Sequence, residues 1–287
     1  MHRILFGDNQ FFGVNHMSEE KARAQAMRFQ DIQAIINVLD AAYDEGIRVF
    51  MCTTHDRIEE ICDHVRANPQ RYAGFEFYPC MPYAHKYANA MTELGILGTL
   101  NKVLPEGGMV TGLFKGGMSL ARKDLEGLIG MLVDAEMKMF KGLPTPVIFL
   151  QNVVTDLLLG LGMKDALRIF ADHVRDRYKA EPGFITMNLP MALDALEAVG
   201  VDNPIICANI NKSGFRMSGG LPVYEDAIAN RRFRPIAMSV FASGALAPRE
   251  ALEYVCHQPK IESIVFGASS RANIRQTKQL IDELSAA

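Results

Sequence analysis

Short apolar runs alternate with longer amphipathic segments along the chain, and this pattern predicts eight strands, each followed by a helix. The runs are apolar almost throughout, which is typical of strands buried on both faces of a parallel sheet. In the first amphipathic segment Ile32, Ile35 and Leu39 recur at helical spacing before Gly46 ends the helix. The predicted strands are 3–7, 47–52, 73–80, 145–152, 183–188, 203–211, 234–241 and 261–269.

Helices are predicted between these strands, together with one long loop. The Gly-rich stretch 96–119 is predicted as a loop insertion, and a loop of that length in a compact domain is usually functional. The predicted helices are 30–46, 57–68, 82–95, 120–140, 163–179, 190–199, 222–230, 247–257 and 271–285.

Eight strand–helix units in 287 residues predict an α/β protein with a single (β/α)8 TIM barrel over residues 1–287. No linker or change of composition divides the chain. A doubly wound open sheet is the alternative. The first strand–helix turn, "GDNQFFGVN", lacks the Gly-x-Gly-x-x-Gly phosphate loop of that fold, which favours the barrel.

Composition and charge exclude several classes of partner. The net charge is −3, so there is no basic excess to suggest nucleic acid, and no apolar run approaches the length of a membrane span. Five scattered cysteines do not suggest a disulfide framework, and no signal-peptide pattern opens the chain. We therefore expect a cytoplasmic protein acting on a small molecule, with its oligomeric state open.

Barrels of this type place their sites at the carboxyl ends of the strands, where this chain is rich in polar residues. The stretch "VFMCTTHDR" (49–57) runs from a predicted strand into a thiol, two hydroxyls, an imidazole, a carboxylate and a guanidinium. Three interpretations stay open. His55 and Asp56 do acid–base work; or Cys52, His55, Cys80, His85 and His16 bind zinc, although no tight ligand pair supports a metal; or the stretch caps the next helix. Cys52 is also a possible nucleophile.

The ends of the last two predicted strands suggest an anion site. Small residues at 242–245 allow a close approach of backbone N–H groups to an anion, and "GASSRAN" opens a helix whose N-terminus favours negative charge. The other interpretation is that Ser269 or Ser270 only caps that helix. The predicted anion site consists of Ser239, Ser243, Gly244, Gly267, Ser269, Ser270 and Arg271.

The order of several segments resembles the aldo-keto reductases. "RPIAMSVFASGALAP" and "IESIVFGASSRANIRQT" are similar to the end of that family, in which the eighth strand finishes in Gly-Ala-Ser. "VLDAAYDEGIRVFMCTTHDR" and "GFITMNLPMALDALEAVGVDNPIICANIN" resemble earlier segments. The resemblance spans nearly the whole chain and implies an NADP-dependent oxidoreductase barrel.

The family's Asp/Tyr/Lys/His tetrad has no counterpart in the residues at the matching positions. Met51 or Cys52 stands near the Asp, His55 near the Tyr, and Gln151 at the His. The Lys position falls in "FYPC" (77–80). We therefore expect a divergent member whose acid–base role has moved. The candidate catalytic residues are His55, Asp56, His16, His85, Lys86 and Gln151.

The resemblance assigns cofactor residues more closely. Ser239, Phe241 and Ser243 match the pyrophosphate loop, Asn188 the carboxamide-binding Asn, and Ser269 and Arg271 the loop for an adenosine 2′-phosphate. The leading hypothesis is an oxidoreductase for a small polar or anionic metabolite. The alternatives are a lyase, isomerase or hydrolase, with or without a metal, and an inactive nucleotide- or metabolite-binding protein. The remaining candidate cofactor residues are Asn209, Gly244, Gly267, Ser270, Asn273 and Gln276.

Overall fold

A computed structural model of the chain describes residues 1–13, 19–83 and 122–285. In these ranges eight parallel strands pair in chain order, and the pairing of β1 with β8 closes them into a barrel. The strands are β1 (Ile4–Gly7), β2 (Val49–Thr53), β3 (Glu76–Met81), β4 (Val147–Leu150), β5 (Glu181–Thr186), β6 (Ile205–Asn209), β7 (Arg234–Met238) and β8 (Ser263–Phe266).

Helices form a layer around the barrel. Two of them, α1 (Glu19–Arg28) and α2 (Ile32–Asp44), follow β1, and two, α5 (Asn152–Gly160) and α6 (Lys164–His173), follow β4. α3 (Arg57–Ala67) follows β2 and α4 (Arg122–Glu136) precedes β4. The last four strands are each followed by one helix, namely α7 (Leu189–Ala198), α8 (Leu221–Asn230), α9 (Pro248–Cys256) and α10 (Arg271–Ser285).

The predicted barrel is confirmed, and two helices had not been predicted. α1 is mostly exposed and has no large apolar residue except Met27, so no apolar stripe marks it in the sequence. α5 begins only two residues after the end of β4, so the sequence pattern shows no separate start for this helix. The predicted helix 82–95 and loop 96–119 lie outside the described residues, apart from the first two positions of that helix. No described helix is long and apolar enough to cross a bilayer.

Two apolar cores hold the described parts of the fold together. The larger lies between the strands and the helices, and the smaller fills the barrel with side chains such as Leu5, Phe149 and Ile236. The Phe149 ring occupies the space beside Gly183 of the neighbouring strand, where an added Cβ would lie 2.3 Å from a ring carbon. The absence of a side chain at Gly183 is therefore what allows the large ring inside the barrel.

Buried polar groups concentrate at one end of the barrel. Of the nine buried polar side chains in the described residues, six end or follow a strand. At the opposite end Arg234 forms ion pairs with Glu181 and Glu262. A barrel that buries polar groups at the carboxyl ends of its strands has its candidate site there. The six residues are Asp8, Gln10, Thr54, Thr186, Asn209 and Asn211.

The packing of Phe149 against Gly183 leads to a first prediction. Gly183→Ala should lower the free energy of unfolding by about 1–3 kcal/mol, because the added methyl group overpacks the barrel. The measurement is the urea midpoint. Gly127→Ala is the matched control, because Gly127 lies in α4 with no atom near its added Cβ, and the change should stabilise by about 0.5–1 kcal/mol. Equal midpoints for the two variants would contradict this account of the interior.

Candidate functional site

A buried carboxyl group lies where β1 and β2 end. Asp8 is 5% exposed, and its Oδ2 accepts hydrogen bonds from the backbone N (2.7 Å) and Oγ1 (2.6 Å) of Thr53. Burial raises the pKa of Asp8 above its ordinary value, and the two bonds from Thr53 offset part of that rise. Asp8 was not among the candidate catalytic residues, because the sequence marks it as a strand-end polar residue without showing its burial.

His55 is half-buried just beyond the end of β2, between two aromatic rings. It stacks on Phe12 with ring centroids 4.1 Å apart and planes 8° from parallel, and the Tyr83 ring lies 5.1 Å away. The Tyr83 backbone N–H donates to Thr54 Oγ1 (3.2 Å), which joins the segment after β3 to this cluster. Burial, with Asp8 and Asp56 nearby, raises the pKa of Tyr83, so its hydroxyl stays protonated at neutral pH.

The tautomer of His55 follows from its hydrogen bond. Its Nδ1 lies 3.1 Å from the Arg57 backbone N–H and accepts from it, so in the neutral ring the proton is on Nε2. This bond also caps the start of α3, whereas the Asp56 side chain makes no capping bond and is exposed. One ring nitrogen of His55 thus holds the start of α3 and the other carries the proton in the neutral ring, while the acid–base interpretation of "VFMCTTHDR" stays a prediction.

The cysteines of this sector are buried. Cys52 packs in the core between barrel and helices, while Cys80 points into the barrel. Burial raises the pKa of both thiols well above their ordinary value, so neither is the thiolate that a nucleophile requires. The described residues contain no cluster of three or more His, Cys, Asp or Glu side chains that could hold a metal.

Three predicted catalytic residues lie outside the described residues, namely His16, His85 and Lys86. Gln151 is described and half-buried directly after β4, where its backbone N–H donates to the Met81 carbonyl (2.8 Å). Within the described residues His55 packs against Tyr83, and Asp8 is near enough to Tyr83 to help raise its pKa.

The two predicted amide ligands serve local structure. The Asn188 Oδ1 accepts from the Met191 N–H (3.3 Å) and so caps α7. The Asn209 Nδ2 donates to the Arg216 carbonyl (2.9 Å) and holds the loop after β6. Asp156 supports this region, because its carboxylate accepts from the Thr186 hydroxyl and the Met187 N–H.

The loop after β7 has an unusual backbone. Ser239, Ala242 and Ser243 all have positive φ, at 54°, 45° and 57°, a region that residues with a Cβ rarely adopt. Within this turn the N–H groups of Ala242 and Gly244 donate to the carbonyls of Ser239 and Phe241, both at 2.8 Å. Such strain typically persists at ligand sites. The backbone therefore suits the predicted anion site.

The loop after β8 leads directly into α10. Ser270 Oγ accepts from the Asn273 N–H (3.3 Å), so the predicted cap is present. The Arg271 guanidinium instead turns to Glu45, with Nε 2.7 Å from Oε1, and Gln276 is exposed on α10. At Gly267 an added Cβ would lie 1.9 Å from Gln10 Oε1, so a side chain there would require the Gln10 amide to move.

Solved structures of aldo-keto reductases share this fold. The chain aligns over 98% of its length with 90% of a Pseudomonas aeruginosa protein assigned to that family, at a TM-score of 0.60 and 14% identity. An aldo-keto reductase from a Medee basin deep-sea metagenome library aligns over 90% of this chain and 88% of its own, at a TM-score of 0.56 and 11% identity. An aldo-keto reductase from Brucella melitensis aligns over 89% of this chain and 90% of its own, at a TM-score of 0.51 and 9% identity. At these identities the likeness shows the fold.

Sequence comparisons add no closer relative. No family model matches the chain. No curated protein matches it either.

Burial of Asp8 generates a second prediction. Burial gives the Asp8 carboxyl a higher pKa in the folded state than its value of about 3.8 in the unfolded chain. Its contribution to the free energy of unfolding is therefore fully present below pH 3.8 and is lost as the pH rises through the folded-state pKa. Asp8→Asn keeps an acceptor for Thr53 and removes the charge, so at pH 7 it should raise the melting temperature. Each kcal/mol gained corresponds to about 2–4 °C.

The pH dependence of this gain is the check. It should shrink as the pH falls toward 3.5, because the wild-type carboxyl is then protonated as well. Asp156→Asn, at a less buried carboxylate, gives the comparison. A lower melting temperature for Asp8→Asn at pH 7 would show that the ionised carboxylate stabilises the fold.

Proposed function

We propose that this chain is an oxidoreductase that reduces or oxidises a small polar or anionic metabolite at the barrel mouth, with NADP as its cofactor. The observation that supports it best is the arrangement of four neighbouring strand ends. β7 and β8 supply the strained loop and the helix start suited to phosphate, and β1 and β2 supply Asp8 and His55. Because β8 pairs with β1, these groups share one sector of the mouth.

The residues present fit the proposed cofactor. The strained turn at 239–244 would hold a pyrophosphate through the N–H groups that are not bonded within the turn, since those of Ala242 and Gly244 already donate to carbonyls. The first turn of α10 would hold a second phosphate through the N–H groups of Arg271 and Ala272, since that of Asn273 donates to Ser270. When bound, a nicotinamide supplies or accepts the hydride. Met238, at the end of β7, is the side chain that would face the nicotinamide, because the amide groups of Asn188 and Asn209 are held in local hydrogen bonds.

We assign His55 to hydrogen bonding with the substrate carbonyl oxygen and Asp8 to the proton that this oxygen gains or loses. In the neutral ring Nε2–H can donate to a substrate carbonyl, while Nδ1 stays bonded to the Arg57 N–H. Protonating Nδ1 would cost that capping bond, so we assign His55 as a hydrogen-bond donor that polarises the carbonyl. Asp8 is the better-matched proton donor, because burial moves its pKa toward the working pH.

The same cluster supports a second candidate function. A buried carboxyl beside a polarising imidazole can also remove a proton next to a carbonyl, which is the chemistry of isomerases and some lyases. That reaction needs no hydride carrier, so cofactor binding separates the two functions.

Nucleotide binding is therefore the third prediction. Titration of the purified chain with NADPH and with NADH, followed by nucleotide fluorescence, should give saturable binding with NADPH the tighter. Binding should weaken in Ser243→Pro, because proline cannot adopt the positive φ of that position. Absence of binding by either nucleotide would refute the oxidoreductase and favour the proton-transfer enzyme.

The fourth prediction concerns His55. If its role is donation from Nε2, His55→Gln should retain much more activity than His55→Ala, which should lose about 10²–10⁴ in turnover. If His55 transfers a proton instead, both variants should fall equally. The measurement is turnover of a panel of small carbonyl compounds with NADPH. His64→Gln is the control for folding, because His64 is half-buried on α3 against Tyr72 and outside the proposed site. Wild-type rates in both His55 variants would assign the residue to capping alone.

A further inference from the structure

The helix inserted between β1 and α2 brings a cation to the proposed phosphate site. Arg28, the last residue of α1, donates from Nη2 to the Ser269 backbone carbonyl (2.6 Å), although 241 positions separate the two in sequence. Ser269 lies between β8 and α10, two residues before the helix starts. The guanidinium is therefore beside the first turn of α10, where a bound phosphate would lie.

The end of α1 is held in place from two directions. Arg57 donates to the carbonyls of Phe29 and Gln30, which follow Arg28. At Gly13 an added Cβ would lie 2.8 Å from the Ala22 carbonyl oxygen, so the helix packs directly on the turn after β1. The position of Arg28 at the loop is thus a product of the fold.

The charge of Arg28 is available, and that of Arg271 is already used. Arg28 has no ion pair with any acidic residue in the described ranges; its recorded contacts are the Ser269 carbonyl and the Phe29 ring. Arg271 and Arg275 both bond to Glu45, and these hydrogen bonds lower the pKa of Glu45 to about 2. Moving Arg271 to a ligand would leave that carboxylate with one partner fewer.

Gln10 provides an independent sign of a ligand at the same loop. It is 95% buried, its Nε2 donates to the Gly7 carbonyl (2.8 Å), and its Oε1 is turned against Gly267 without a hydrogen-bond partner. A buried acceptor without a donor costs about 1–3 kcal/mol. A hydroxyl or N–H group brought to this loop by a ligand would remove that cost.

We propose that Arg28 contacts the phosphate monoester of a bound dinucleotide at the 267–270 loop and so selects the phosphorylated cofactor over the unphosphorylated one. This inference rests on the proposed dinucleotide site and assigns its specificity to a residue of the insertion helix. Arg271 then serves to tie α10 to α2 through Glu45.

The test compares dissociation constants for NADPH and NADH in matched variants of the full chain. Arg28→Gln should raise the dissociation constant for NADPH by about 10–100-fold, as expected for the loss of a charge-assisted hydrogen bond. The dissociation constant for NADH should change by no more than about twofold. Arg23→Gln makes the same charge change on the exposed part of α1 and should alter neither constant. Arg271→Gln should leave the ratio of the two constants unchanged.

The outcomes separate the inference from the function it rests on. If the unaltered chain binds neither nucleotide, the dinucleotide site and the role of Arg28 are both refuted. If both nucleotides bind and Arg28→Gln leaves the ratio of their dissociation constants unchanged, only the assignment to Arg28 is overturned. The same conclusion follows if Arg271→Gln changes that ratio. Melting curves of each variant show whether the fold is intact. Unfolding of α1 would weaken the binding of both nucleotides together, whereas loss of the Arg28 contact alone would weaken only NADPH binding.

Discussion

The pairing of β1 with β8 is the constraint on which every other feature of the mouth depends. Ile4 lies opposite Ile264 and Phe6 opposite Phe266, and these contacts join the two ends of the strand series into a ring. Because all eight strands run in parallel, closure brings all their carboxyl ends to one face. Residues as distant in sequence as Asp8, His55 and Ser269 come to share a sector for this reason.

That sector combines features that cost stability. Asp8 is an ionisable group in a buried position, three residues after β7 hold left-handed conformations, and Gln10 has a buried oxygen without a partner. Each is unfavourable for folding alone. Six of the nine buried polar side chains in the described residues also lie at this end of the barrel, and this concentration supports the proposed ligand site.

The chain shares a fold with aldo-keto reductases. The sequence resemblance implies that Met51 or Cys52 and Gln151 match that family's acidic and imidazole residues, and burial raises the pKa of the Cys52 thiol. The structure offers Asp8, from another strand, and a histidine whose tautomer is fixed by the helix that follows it. A fold that places many strand ends together allows such a relocation, because a proton donor can come from any of them.

The sequence by itself determined the architecture and the face on which the proposed site lies. Apolar runs alternating with amphipathic segments specify strands and helices by local periodicity, so the barrel followed, and with it the polar strand ends that include His55, Ser239 and Ser269. Only the tertiary structure decided which of these groups are buried and which meet. The burial of Asp8, the turn of Arg271 toward Glu45 and the contact of Arg28 with Ser269 arise between distant segments. The physical reason is that periodicity reports a residue's local environment, whereas desolvation and ion pairing depend on neighbours that only folding supplies.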